Sequence, residues 1–204
     1  MIERKGERTR KTIVDTAAKL LRKQGYAATG LNQIVDESGA PKGSLYFHFP
    51  GGKDDLVAEA LVHAADAWRA QLFGAIANEP DLAKSLRIVG DILAKELDSS
   101  GFTHGCPLAT VTLETAATSS ALHAVVSERY RSLEDNIAAR IEVAGIPAPQ
   151  ARALSLLFLS SLEGALVLAR AHRDSSIVRI VSEQLALQVG SMRKMTKSRK
   201  SSAT

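Results

Sequence analysis

The sequence predicts an all-α protein, and three observations carry that prediction. Apolar residues recur at three- and four-residue spacing along nearly the whole chain, no stretch alternates as a half-buried strand does, and the breaks fall at glycine, proline and serine. Apolar residues make up 45% and charged residues 24% of the 204 residues, a balance that builds a globular core and not a disordered or fibrous chain.

The first helix is expected over 6–24, with Ile13, Ala17, Leu20 and Leu21 on one face, and Gly25 ends it. A short second helix holds Leu31, Ile34 and Val35. Ser38-Gly39-Ala40-Pro41 then turns the chain into a third, holding Leu45 and Phe49. Pro50-Gly51-Gly52 breaks the pattern, and a long helix over 53–77 carries Leu56, Ala60, Leu61, Ala64, Trp68 and Leu72. Five more helices are expected at 81–98, 106–117, 119–144, 148–172 and 175–195, with no internal repeat. The Lys/Ser-rich end from residue 193 to 204 has no apolar face and is expected to be disordered.

The net charge of +4 conceals a strong polarity. Residues 1–53 hold ten Lys/Arg against five acids, and the tail from Ser191 adds Arg193, Lys194, Lys197, Arg199 and Lys200 with no acid, so the stretch between them is acidic. Charge segregated in this way suits a polyanion at the N-terminal end, where Arg4, Lys5, Arg8, Arg10 and Lys11 form either a solvated helix start or an arm reaching DNA. No apolar run approaches the roughly 20 residues of a membrane span, and the charged start is unlike a signal peptide, so the expected location is the cytoplasm. One cysteine, Cys106, leaves no internal disulfide and no cysteine-built metal site within the chain. No cofactor or metal is expected.

Residues 31–49 carry the functional signal. A helix-turn-helix needs a glycine in its turn, apolar residues on the inner faces of both helices, and small or polar residues outward on the second. Gly39, Ile34, Val35 and Leu45 meet those demands, and the second helix then exposes Lys42, Ser44 and Phe47. In a major groove Lys42 and Ser44 can donate to base edges while Gly43 admits the backbone close to DNA, and Lys53 opens the next helix where a phosphate is attracted.

Thr29, Ile34, Gly39, the run Lys42-Gly43-Ser44-Leu45-Tyr46-Phe47-His48-Phe49 and Lys53-Asp54-Asp55-Leu56 resemble the signature of the TetR family of transcriptional regulators, over about the first quarter of the chain. Three positions depart from it: Ala40-Pro41 replaces the commoner Val-Ser, Val35 stands for an alanine, and Gly51-Gly52 lengthens the Phe-to-Lys spacing by one. That spacing and Gly105-Cys106-Pro107-Leu108 look like the LmrA/YxaF-like branch.

The resemblance implies a helix-turn-helix DNA-binding domain over 1–52 and a ligand-binding and dimerisation domain over 53–192. It makes the helix from Lys42 the recognition helix, with Thr29, Tyr46, His48 and Lys53 gripping phosphates. The expected partners are a pseudo-palindromic double-stranded operator, a small apolar or amphipathic effector that releases a repressor from it, and a second copy of the chain.

The resemblance also implies a cavity, for which Trp68, Phe102 and Phe158 are the candidate rings. Glu114 and Glu163, acids set among apolar neighbours, and Cys106 are the candidate polar groups. The dimer interface is expected on the last two helices, at Leu157, Ser161, Ala165, Leu166, Val181 and Leu185. Two rival functions remain. Cys106, with His104 two residues before it at a helix start, suits a thiol sensor of oxidants or electrophiles. A hydrolase built on His104, Cys106 and Glu114 lacks the spacing of any catalytic motif, so no enzyme is expected.

Overall fold

Among the residues described by the computed structural model, 5–201 for the backbone and 6–191 for side chains, there are nine helices and no strand. The chain packs as two compact units, one built from Met1–Ala70 with Thr103–Ser132 and the other from Gln71–Phe102 with Leu133–Thr204. The boundary expected at residue 53 separates the roles that the family resemblance implies. Packing divides it differently, because the long fourth helix and the seventh each give their N-terminal part to the first unit and their remainder to the second.

The first unit gathers α1 (Lys5–Ala28), α2 (Leu31–Ser38), α3 (Lys42–His48), the start of α4 (Lys53–Ala75), α6 (Pro107–Thr115) and the start of α7 (Ser120–Val143). Its core joins Ile13, Ala17, Leu20 and Leu21 of α1, Ile34 and Val35 of α2, Leu45, Phe49, and Leu56, Val57, Ala60 and Leu61 of α4 to Val111 and Leu122. All but Val57, Val111 and Leu122 are residues that the helical spacing placed on inner faces. α1 stops being helical at Gly25, whose φ of 80° and ψ of −173° only glycine adopts readily, before one further turn to Ala28. Gly39 ends α2 in the left-handed conformation at φ 65°, as the turn of a helix-turn-helix requires.

The second unit holds the end of α4, α5 (Leu82–Ser99), the end of α7, α8 (Ala148–His172) and α9 (Ser176–Ser201). Its core includes Leu82, Leu86, Ile141, Ile146, Leu154, Phe158, Leu185 and Val189. Arg87 on α5 forks onto Glu183 on α9 with two hydrogen bonds of 2.6 and 2.9 Å, and Arg179 reaches Asp91 at 3.1 Å. Arg140 of α7 donates to the carbonyls of Ile76 and Glu79, which closes the end of α4.

Two expectations are corrected here. α8 is long and apolar enough, by length and composition, to cross a membrane, contrary to the reading that no run approaches that length. Its apolar residues lie on two faces: Leu154, Phe158, Ala165, Leu166 and Ala169 are buried, while Leu156, Leu157, Val167 and Leu168 are exposed. The backbone of α9 continues past the expected end to Ser201, since no proline or glycine follows Gly190 and Met, Arg and Lys propagate a helix well. The side chains of the basic tail, with those of Arg4 and Lys5, lie outside the described residues.

Candidate nucleic-acid interface

α3 is anchored by Leu45, fully buried, and by Phe49 just beyond its end, buried to 1% exposure. Arg10 of α1 lies over the Phe49 ring at 5.3 Å and pairs with Glu59 of α4, so one cation of the expected arm serves the fold. Arg8 and Lys11 remain exposed. With its inner face fixed, α3 presents Lys42, Gly43, Tyr46 and Phe47 outward, and Ser44 and His48 stand half-buried at its margins. The His48 ring meets the edges of Phe47 and Phe49 at centroid distances of 5.1 and 6.4 Å, which holds it beside the exposed face.

Thr29 is placed otherwise than its expected phosphate contact requires. The side chain is fully buried and Oγ1 donates to the Gly25 carbonyl at 2.6 Å, so its hydroxyl ties the α1–α2 turn. Lys53 sits at the start of α4 with its ammonium 4.1 Å from the centroid of the Tyr26 ring. Burial lowers its pKa, against the opposing pull of Glu114 and Asp54. The positive helix end attracts an anion, and Asp54 and Asp55 in the first turn already supply one.

Around Asp54 lies a clasp that joins four elements. One carboxylate oxygen accepts from the Tyr26 hydroxyl at 2.5 Å, the other from the Ser119 hydroxyl at 2.8 Å, while Ser119 Oγ accepts from the Leu122 amide at the head of α7. These bonds hold the Asp54 pKa below its usual value, and that of Tyr26 is pushed up to about 12, first by the same hydrogen bond. Glu114 of α6 completes the clasp by accepting from the Ala27 amide at 2.5 Å, directly past Gly25. A Cβ on Gly25 would stand 2.0 Å from Glu114 Oε1, so that residue is glycine for space as well as for φ.

The effector candidates are divided between the units. Trp68, Cys106 and Glu114 belong to the first; Phe102, Phe158 and Glu163 belong to the second. In the first, Arg22 stacks over Trp68 at 5.7 Å and donates to the Gly105 carbonyl at 3.0 Å, which brings Trp68 and the approach to Cys106 together. Cys106 is 2% exposed at the N-cap of α6, and the Glu114 carboxylate is turned to the α1–α2 turn. In the second, Phe158 is packed in the core, and Phe102, at φ 63°, lies under the Arg173 guanidinium. Glu163 is half-buried on α8 with Oε2 shielded from solvent.

Of the six expected dimer residues, Ala165, Leu166 and Leu185 are buried within the chain and so unavailable to a partner, a correction. Ser161 and Val181 are half-buried and Leu157 is exposed. The stripe left open is Leu156, Leu157, Ser160, Gly164, Val167 and Leu168 on α8, with Ile180 and Leu187 on α9.

Sequence reasoning missed Tyr26, Asp54 and Ser119. A serine just ahead of an apolar-periodic helix was the one available signal for Ser119, which caps α7. Tyr26 and Asp54, 28 residues apart, have no local pattern that pairs them.

Residues 13–60 match the family model of bacterial regulatory proteins, tetR family, and residues 83–184 match that of the transcriptional regulator LmrA/YxaF-like C-terminal domain. An uncharacterised helix-turn-helix regulator of Bacillus subtilis, YxaF, is 33% identical over 89% of this chain and 95% of its own. The regulator LmrA of the same organism is 30% identical over 82% and 89%. Among solved structures, the TetR-family regulator of Cytophaga hutchinsonii superposes with a TM-score of 0.82 at 23% identity, over 94% of this chain and 98% of that one.

Proposed function

The chain belongs to the TetR family of bacterial transcriptional regulators, which are not enzymes, and on that premise we propose that it is a cytoplasmic repressor that binds DNA as a homodimer. The observation that carries the reading is the outer face of α3, where Lys42, Gly43, Ser44 and Phe47 are free to meet base edges on a helix that Leu45 and Phe49 lock from behind. Tyr46, His48 and Lys53 flank that face and meet phosphates, whereas Thr29 acts by fixing the turn before α2. Two recognition helices of a dimer then read adjacent major grooves of a pseudo-palindromic operator.

The partner copy is taken up by the exposed stripe of α8 and α9, which leaves Leu156, Val167, Leu168 and Ile180 in water in a single chain. A small apolar or amphipathic effector releases DNA by favouring a conformation in which the reading heads of the dimer are wrongly spaced, and its differential affinity for that conformation supplies the coupling. A thiol sensor is disfavoured by the burial of Cys106, and Cys106→Ser is expected to leave any response to oxidants unchanged.

The test is fluorescence anisotropy of the purified protein on the DNA upstream of its own gene and on a scrambled duplex, across a salt series. Specific binding at least ~10³-fold tighter than scrambled, weakening steeply with salt, is the expected result. Equal weak binding to every duplex, including those enriched from a random pool, would remove the reading.

A further inference from the structure

We propose that Phe47 reads thymine, by packing its ring on the 5-methyl groups that thymines present in the major groove; the inference rests on the operator-binding reading above. At about 100° per residue, Gly43 and Phe47, two residues either side of the buried Leu45, both point about 160° away from it. They therefore form the outermost ridge of α3. Gly43 contributes no side chain, and nothing lies within 4 Å of where its Cβ would stand. Phe47 is thus the one side chain on that ridge, and it is 81% exposed.

A phenyl ring in water is unfavourable, and the fold leaves this one largely exposed beside the His48 ring, which it meets edge to face. It has neither donor nor acceptor, so it cannot read a base edge by hydrogen bonding. The apolar feature that distinguishes one base from the others in the major groove is the thymine methyl. Lys42 and Tyr46 on one flank of the ridge and Ser44 and His48 on the other carry the polar contacts, which leaves the ring at the floor of the groove.

An operator is first enriched by the native protein from a random duplex pool. Its affinity is then measured by anisotropy on that duplex and on a copy with deoxyuridine in place of thymidine, which keeps base pairing and removes only the methyls. Native protein is expected to lose about fourfold for each methyl that is read, the effect of a methyl-sized apolar group. Phe47→Ala is expected to bind the thymidine duplex more weakly and to bind the two duplexes equally, with unchanged circular dichroism since the ring supports no core. Equal native affinity for the two duplexes overturns the proposal, as does a Phe47→Ala protein that keeps the native preference. Failure to enrich any sequence marks instead the failure of the operator reading, and takes this inference with it.

Discussion

Asp54 shows how one carboxylate sets the chemistry of its neighbours. Because its bonds to Tyr26 and Ser119 favour the ionised form, the folded pKa lies below the unfolded one of about 3.9. The stability it supplies is therefore present above that unfolded value and lost as the pH falls through the folded one. Tyr26 has the opposite sign: its folded pKa of about 12 exceeds the ordinary tyrosine value of 10.0, so its contribution is whole below about pH 10 and disappears as the pH climbs toward 12. Titration of native protein by tyrosinate absorbance is expected to separate one of its three tyrosines as a late phase, and Tyr26→Phe to remove that phase at a cost of about 1 kcal/mol in urea midpoint stability. Three tyrosines ionising together near pH 10 would contradict the bond to Asp54.

Among the elements, α6 and the α1–α2 turn depend on each other through Glu114, Ala27 and Gly25. Gly25→Ala meets two obstacles, the backbone at φ 80° and a Cβ on the Glu114 carboxylate, and is expected to cost about 1–3 kcal/mol, read as a lowered urea midpoint. Combining it with Glu114→Ala relieves the clash and leaves the backbone strain, so the double variant is expected to recover part of that loss. A double variant as unstable as the two losses summed would mean that the contact contributes nothing to the glycine's role. The recognition helix was legible at this scale: Ile34, Val35, Gly39 and Leu45 have local spacings that define a helix, a turn and a helix without outside help. Thr29 was not, because whether its hydroxyl faces solvent or the Gly25 carbonyl depends on how α1 bends back at that glycine.

At the scale of the whole molecule, the proposed pairing of two copies rests on the exposed stripe of α8 and α9. Val167→Glu with Leu168→Glu places charge on side chains that are 57% and 51% exposed, so each chain should fold normally while pairing is lost. Sedimentation is expected to report a monomer, and operator affinity to fall by about 10²-fold or more because the second half-site is no longer tethered to the first. A dimer that survives both substitutions would move the interface elsewhere.

By itself the sequence determined the helical class, the order of the helices, the inner face of the reading head and the family resemblance, because each depends on spacing within a few turns of one helix or on a contiguous motif. Tertiary structure decided which of the apolar faces of α8 and α9 enter the core, since a helix apolar on two sides carries no mark of which will find a partner inside the chain. It likewise decided that Glu114 clasps the Ala27 amide 87 residues away, and that Tyr26 and Asp54 share a proton-sensitive bond. Such pairs form only after distant segments have been brought together by burial of Ile13, Leu21, Leu56 and Val111, and no residue in either segment announces the other.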